Sequence, residues 1–180
     1  FGNDGSISKD RLEDCINSDL ANNYGNLCQR VVAFAEKNCS SKIPNLKEFN
    51  DDDLIMLNNF TENLSSLRDE MDKQNVNFYI DFIIKALFEA NKYFNDQEPW
   101  KKKEDRERLD AIIYTSLEMI RKISFMLYPI IPNSVKKALT IFNIKIEDID
   151  FESIGSHNYL KTGDNIKKIN ILFKKIEKKN

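Results

Sequence analysis

The stretch VNFYIDFIIKALFEANKYFN, residues 76–95, decides the fold class of this chain. Its apolar side chains recur at spacings of three and four residues, which places them on one side of an α-helix. The apolar residues that form this side are Phe78, Ile80, Phe82, Ile83, Ile84, Leu87 and Phe88. We expect this segment to be the most apolar helix of the fold and to lie at its centre.

The same spacing continues on both sides of this segment, while the helix-interrupting residues glycine and proline number only 5 and 4. It predicts four further helices. The first helix is capped by Ser6 or Ser8 and reaches about residue 38, with a possible interruption at Asn17 and Ser18. The second helix runs from residues 51–53 to about residue 73, and the segment quoted above is the third. The fourth helix follows Pro99 and ends near residue 128, and a short fifth covers about residues 133–142.

The connections between these helices are short, so successive helices should lie antiparallel beside each other. The sequence therefore predicts an all-α fold. We expect an antiparallel bundle of about four long helices with a short fifth helix and an irregular C-terminal tail.

The length and charge of the chain narrow its possible functions. Its 180 residues fit one domain, and its formal net charge of -2 argues against a protein dedicated to long nucleic-acid duplexes. Recognition of a single-stranded loop stays open. No apolar run is long enough to span a membrane and the first residues lack a signal-peptide pattern, so we predict a cytoplasmic location.

Residues that could support catalysis or bind a metal are sparse. The cysteines Cys15, Cys28 and Cys39 lack CxxC spacing, and the single histidine, His157, is expected in a polar surface loop. No glycine-rich phosphate loop, nucleophile elbow or HExxH motif occurs. The aspartates at 51–53 point in different directions on a helix, which favours an N-terminal charge cap. We predict no catalytic residue, no metal and no cofactor for this chain.

Trp100 has an unusual sequence context, because it is the only tryptophan and lies between Pro99 and the lysines at 101–103. An aromatic face beside ammonium groups can stack an unpaired base while the lysines attract phosphate. Alternatively, the ring closes the top of the bundle while the lysines stay solvated. The residues alone leave both interpretations open.

Asn22, Asn26 and Arg30 recur every four residues and form a polar stripe along the first helix. Asn26 and Arg30 could read the edge of a base, since cytosine offers acceptors at O2 and N3 and an amino donor that Arg and Asn complement. They could equally be ordinary polar residues on a solvated helix face.

Five segments together resemble the C-terminal helical domain of methionyl-tRNA synthetases. They are FGNDGSIS (1–8), NSDLANNYGNLCQR (17–30), NKYFNDQEPW (91–100), MLYPIIP (126–132) and, less closely, LFKKI (172–176), in which the proline of the family's LFPRI is absent. The resemblance covers nearly the whole chain, and it preserves both the order and the intervals of the segments.

This resemblance implies that Asn26, Arg30 and Trp100 contact the anticodon CAU, particularly its first base, cytosine. It implies that Pro99 orients the tryptophan and that Asn91 adds a polar contact. The expected partners are the anticodon loop of tRNA(Met) and the catalytic domain of the same synthetase. The family's HIGH and KMSKS motifs and its zinc-knuckle cysteines are absent from this chain, so ATP and methionine are expected to bind the catalytic domain.

The resemblance also predicts how the chain divides. Residues 1–7 should be the end of the link from the catalytic domain, residues 8–143 the helical anticodon-binding bundle, and residues 144–180 an extension that packs back on the bundle or on the partner domain. Two alternatives are the helical domain of another class I synthetase, cysteinyl or valyl, and a non-enzymatic helical module that binds a protein. An exposed apolar groove with a buried Trp100 would favour the protein-binding module.

Overall fold

The computed structural model describes residues 8–177, and the predicted link at residues 1–7, with the alternative cap Ser6, lies outside that range. The first helical run comprises helix α1 (Lys9–Cys15), a π-helical segment (Ile16–Gly25) and helix α2 (Asn26–Asn38). Ser8 caps it, because its hydroxyl accepts a hydrogen bond from the Arg11 amide at 3.2 Å. The expected interruption near Asn17 and Ser18 is instead a widening of the helix that keeps the run continuous.

Four more α-helices follow, and their ends match the predicted boundaries within a few residues, apart from the start of the fourth predicted helix. They are α3 (Asp51–Asp72), α4 (Val76–Asp96), α5 (Arg106–Leu127) and α6 (Pro132–Leu139). Pro99–Lys101 forms a separate 3-10 turn rather than the beginning of α5. Over residues 8–177 the structure has no strand, only an isolated bridge between Lys42 and Asn165, so the all-α prediction is confirmed.

Helix α5, and not α4, lies at the centre of the bundle. Every residue of 109–127 is buried, whereas α4 leaves Phe88 65% exposed and Phe78 43% exposed. The expectation that α4 is central was therefore wrong. A hydrophobicity pattern assigns the polar side of α5 to solvent, but residues of the C-terminal tail cover this side, and α5 is therefore buried all round.

The tail is irregular apart from short 3-10 turns, and it packs against the bundle. The Tyr114 hydroxyl on α5 donates to the Leu160 carbonyl at 2.7 Å. Further along, the Asn17 side chain pairs with both backbone groups of Ile176, at 3.0 and 2.8 Å. The domain boundary at residue 143 stays a prediction. No helix among residues 8–177 is long and apolar enough to cross a membrane.

Candidate nucleic-acid interface

Arg30 and Trp100, which are far apart in sequence, meet on the ring of Phe94 near the end of α4. The Arg30 guanidinium lies 5.3 Å from the centre of the Phe94 ring. Trp100 meets the same ring edge to face, with 6.3 Å between ring centres. Trp100 nevertheless keeps 42% of its surface exposed. One edge of the indole is thus fixed by the protein while part of the ring is accessible to a ligand.

Asn26 lies one helical turn before Arg30, so both side chains project from the same face of α2. Both are half-buried. Arg30 Nη2 donates to the side-chain oxygen of the exposed Asn95 at 2.5 Å, which ties α2 to α4 and limits the orientations of the guanidinium. Asn95 is a member of this arrangement that the sequence did not single out.

Asn91 uses its side-chain amide inside the protein. Its nitrogen donates to the side-chain and backbone oxygens of Asn23, at 2.7 and 3.3 Å, and to the Leu87 carbonyl at 3.0 Å. These bonds join α4 to the π-helical segment. Its own side-chain oxygen is buried and has no hydrogen-bond partner among residues 8–177. The predicted contact of Asn91 with RNA stays a prediction.

The turn that carries Trp100 begins with an unusual backbone conformation. Glu98 has a left-handed φ of 45°, which an L-residue rarely adopts. Pro99 follows and is buried. The Glu98 carboxylate pairs with Lys101 at 2.7 Å, so this lysine is partly neutralised, while Lys102 and Lys103 are exposed. The turn therefore presents an aromatic ring beside two solvated cations.

The anticodon-binding family of methionyl-tRNA ligases matches this chain over residues 43–180, under the description "Anticodon binding domain of methionyl tRNA ligase". The chain belongs to this family of anticodon-binding domains. This assignment decides against a cysteinyl or valyl synthetase domain.

Relatives and solved structures agree with the family assignment. The methionine–tRNA ligase of Rhizobium meliloti is 35% identical over 91% of this chain and 32% of the relative. That of Thermotoga maritima is 33% identical over 99% of this chain and 29% of the relative. The crystal structure of apo methionyl-tRNA synthetase from Mycobacterium tuberculosis has a TM-score of 0.92 and 30% identity, over 99% of this chain and 37% of that chain. The chain thus spans about a third of the length of these proteins.

A buried polar network lies beside the Trp100 turn of this anticodon-binding domain. Arg108 on α5 donates to both carboxylate oxygens of Asp53, at 2.6 and 3.0 Å, and to the side-chain oxygen of Gln97 at 2.6 Å. Tyr93 donates its hydroxyl to the same carboxylate. Burial, and next the negative charge of Asp53, raise the pKa of Tyr93, so the phenol stays protonated as a donor.

Sequence reasoning identified only part of this network. The predicted charge cap at residues 51–53 exists, since Asn50 and Asp53 form a capping box with two hydrogen bonds of 3.0 Å. However, Asp53 is also fully buried and binds Arg108, which lies 55 positions away. No local pattern signals such a long-range pair.

His157 contacts the loop before α3 and helix α3 itself. His157 was expected on the surface, but it is half-buried, with its ring 6.5 Å from that of Phe49 and its Nε2 3.3 Å from the Thr61 hydroxyl. Burial lowers its pKa. Within the described range, no three His, Cys, Asp or Glu side chains form a group that could hold a metal ion.

Proposed function

We propose that this domain binds the anticodon loop of tRNA(Met) and reads CAU, chiefly through its first base, cytosine. The observation that carries this proposal is the contact of both Arg30 and the exposed Trp100 with the ring of Phe94. One ring thus holds both the guanidinium and the indole on which a base could stack, and Asn26 lies one helical turn before Arg30.

The chemistry of these groups fits a cytosine in an unpaired loop. The indole face supplies stacking, worth about 1–3 kcal/mol per base in single-stranded complexes. The Arg30 guanidinium can donate to O2 and N3 of cytosine, while the Asn26 amide both donates and accepts. Lys102 and Lys103 are exposed and can attract the flanking phosphates. Pro99 restricts the backbone before Trp100, and Asn91 holds α4 against the first helical run.

In the proposed setting this chain supplies specificity to a methionine–tRNA ligase. In such a ligase, ATP and methionine bind the catalytic domain, and the anticodon contact places the acceptor end of the tRNA at that separate site. Affinity of the domain alone should be modest and should fall as salt concentration rises, because phosphate contacts release counterions.

Binding to an anticodon hairpin tests the contact residues. Trp100→Ala should weaken binding of a CAU hairpin by about 5- to 150-fold, the loss expected for one stacked base. Arg30→Ala should weaken it about tenfold, because a charged hydrogen-bond donor is lost. Titration calorimetry at fixed salt measures both losses, and circular dichroism checks that helicity is retained.

Two matched substitutions control for general effects of losing an aromatic or a cation. Phe78→Ala removes an exposed ring at the opposite end of α4, and Arg68→Ala removes an exposed guanidinium on α3. Both should bind the hairpin like the unsubstituted chain. Wild-type affinity in both Trp100→Ala and Arg30→Ala would refute the contact assignment.

Base selectivity tests the finer claim about the first anticodon base. Replacing this cytosine with another base should reduce affinity more than exchanging base pairs in the stem does. Equal losses for loop and stem changes would show that binding is non-specific electrostatic attraction.

A further inference from the structure

The segment that presents Trp100, residues 98–107, is closed at its base by a hydrogen bond between side chains. Gln97 ends α4 before this segment, and Arg108 lies in the first turn of α5 after it. Arg108 Nη2 donates to the Gln97 side-chain oxygen at 2.6 Å. We call this pair, with the Asp53 carboxylate that binds Arg108, the clasp.

The clasp is anchored in the core. Asp53 has no exposed surface, and its two carboxylate oxygens accept two hydrogen bonds from the Arg108 guanidinium. Such a bidentate ion pair has the most defined geometry. The Tyr93 hydroxyl adds a third donor to the carboxylate. On the outer side, the Gln97 amide donates to the Asp52 carboxylate at 2.9 Å. The beginning of α3, the end of α4 and the beginning of α5 are therefore fixed to one another.

Trp100 needs such support, because it lies on a 3-10 turn of three residues rather than on a long helix. The turn follows Glu98, whose left-handed backbone persists only where the surroundings determine it. Inside the segment, the Lys101 amide donates to the Glu98 carbonyl at 2.8 Å and the Asp105 amide to the Lys102 carbonyl at 3.1 Å. These local bonds shape the turn, while its position relative to the bundle depends on the contact of Trp100 with Phe94 and on the clasp across its base.

We propose that the clasp of Asp53, Arg108 and Gln97 positions Trp100 for stacking on the anticodon base, and so sets the affinity of the domain without touching RNA. The claim that the clasp affects RNA binding rests on the proposed function, whereas the claim that it orients the indole is independent of that function. A ring held in place before binding loses less conformational freedom on binding, so a loosened clasp weakens the complex.

Arg108→Lys tests the clasp, because lysine keeps the charge but cannot form the fork. Arg121→Lys is the control: the same change in a second carboxylate-paired arginine of α5, which is fully buried and lies roughly 20 Å further along the helix at 1.5 Å per residue. Trp100 is the only tryptophan, so fluorescence excited at the red edge of indole absorption, where the six tyrosines absorb little, reports on this turn. All measurements are made where urea titration shows the variants to be folded.

In Arg108→Lys we expect red-shifted Trp100 emission, stronger quenching by acrylamide and about 3- to 10-fold weaker binding of the CAU hairpin, within the range seen for coupled residues. In Arg121→Lys, emission and affinity should match the unsubstituted chain. If the clasp acts through the indole, Arg108→Lys should cause no further loss of affinity in a Trp100→Ala background.

Several outcomes would overturn the positioning role. Unchanged emission and affinity in Arg108→Lys contradict it, and so does an equal additional loss of affinity in the Trp100→Ala background. If Arg108→Lys does not fold, Gln97→Ala, which removes only the half-buried arm of the clasp, must show the same emission change. If the unsubstituted chain fails to bind the hairpin, the proposed function fails, while the fluorescence comparison still decides whether the clasp orients Trp100.

Discussion

Helix α5 buries an arginine–carboxylate pair towards each end, and the two pairs have different surroundings. Near its beginning, Arg108 binds Asp53 beside a turn that exposes Trp100. In its second half, Arg121 binds Glu118 at 2.6 Å, and both side chains are fully buried beneath the C-terminal tail. Each pair fixes an irregular segment to the helix. The first leaves its segment accessible to a ligand, whereas the second closes the core.

The second cluster places two basic side chains beside one carboxylate. Glu118 accepts hydrogen bonds from Arg121 and from the Leu160 amide at 2.7 Å. Arg121 also lies 4.5 Å from the ring centre of Tyr159. Lys122 donates to the carbonyls of Ile154 and Ser156, the latter at 2.6 Å. One carboxylate thus lies beside a buried guanidinium and a buried amine, and backbone carbonyls of the tail supply the remaining acceptors.

The largest effect is expected from Glu118→Gln, which leaves the buried guanidinium of Arg121 without a counter-ion. Removing one partner of a buried ion pair costs about 3–5 kcal/mol of unfolding free energy. Urea titration followed by far-ultraviolet circular dichroism measures this loss. Glu152→Gln, in an exposed pair with Arg68, is the control and should change stability by less than about 0.5 kcal/mol.

The same variant tests whether the two ends of α5 are independent. While Glu118→Gln remains folded, the emission of Trp100 should be unchanged, because the Asp53 clasp is intact. A loss of stability below about 1 kcal/mol would show that the second cluster is solvated and does not anchor the tail.

A smaller effect is expected from pH, through Lys122. Burial, and next the charge of Arg121, lower the pKa of Lys122 from 10.5 to about 7, and Glu118 opposes this. Below pH 7 both the folded and unfolded chains carry the proton, so this group adds no pH dependence. Between pH 7 and 10.5 the unfolded chain binds more protons, and stability therefore rises with pH through this group.

Comparison with Lys122→Met isolates this contribution. From pH 7 to pH 9, the stability of the unsubstituted chain relative to the variant should rise by about 1 kcal/mol per pH unit, below the limit of about 1.4 for one proton. Urea midpoints at intervals across this range measure the slope. Burial and, next, the charge of Lys122 lower the pKa of His157, so in the unsubstituted chain this group titrates below the window. Parallel pH profiles would show that Lys122 stays charged in the fold.

The difference between the two ends of α5 also explains what the sequence could predict. Helical spacing and local caps such as Ser8 and Asn50 determined where most helices begin and end, because these signals lie within a few residues of each other. The burial of Glu118, Arg121 and Lys122 depends instead on a tail that arrives from elsewhere in the chain. For this reason the hydrophobic periodicity predicted that α4, rather than α5, would be the central helix.

The candidate site, too, could be predicted from the sequence only in part. Trp100 and Arg30 were singled out by residue type and by resemblance, but their meeting on Phe94 depends on how α2 packs against α4. The bond from Arg30 to Asn95 spans 65 positions, and that from Arg108 to Asp53 spans 55. Residue chemistry suggests which groups could bind RNA, whereas tertiary packing decides which groups hold them in place.

The smallest effect is expected from Asn95→Ala, which removes the side-chain oxygen that accepts a hydrogen bond from Arg30. Asn95 is exposed, so stability should change by less than about 0.5 kcal/mol. The freed guanidinium must then be ordered when RNA binds, at a cost of about 0.5–1 kcal/mol, which corresponds to about 2- to 5-fold weaker binding of the CAU hairpin. Asn45→Ala, in the exposed part of the loop before α3, is the control for both measurements. An unchanged affinity would mean that the Phe94 ring alone orients Arg30, and the hydrogen bond between α2 and α4 would then have no part in recognition.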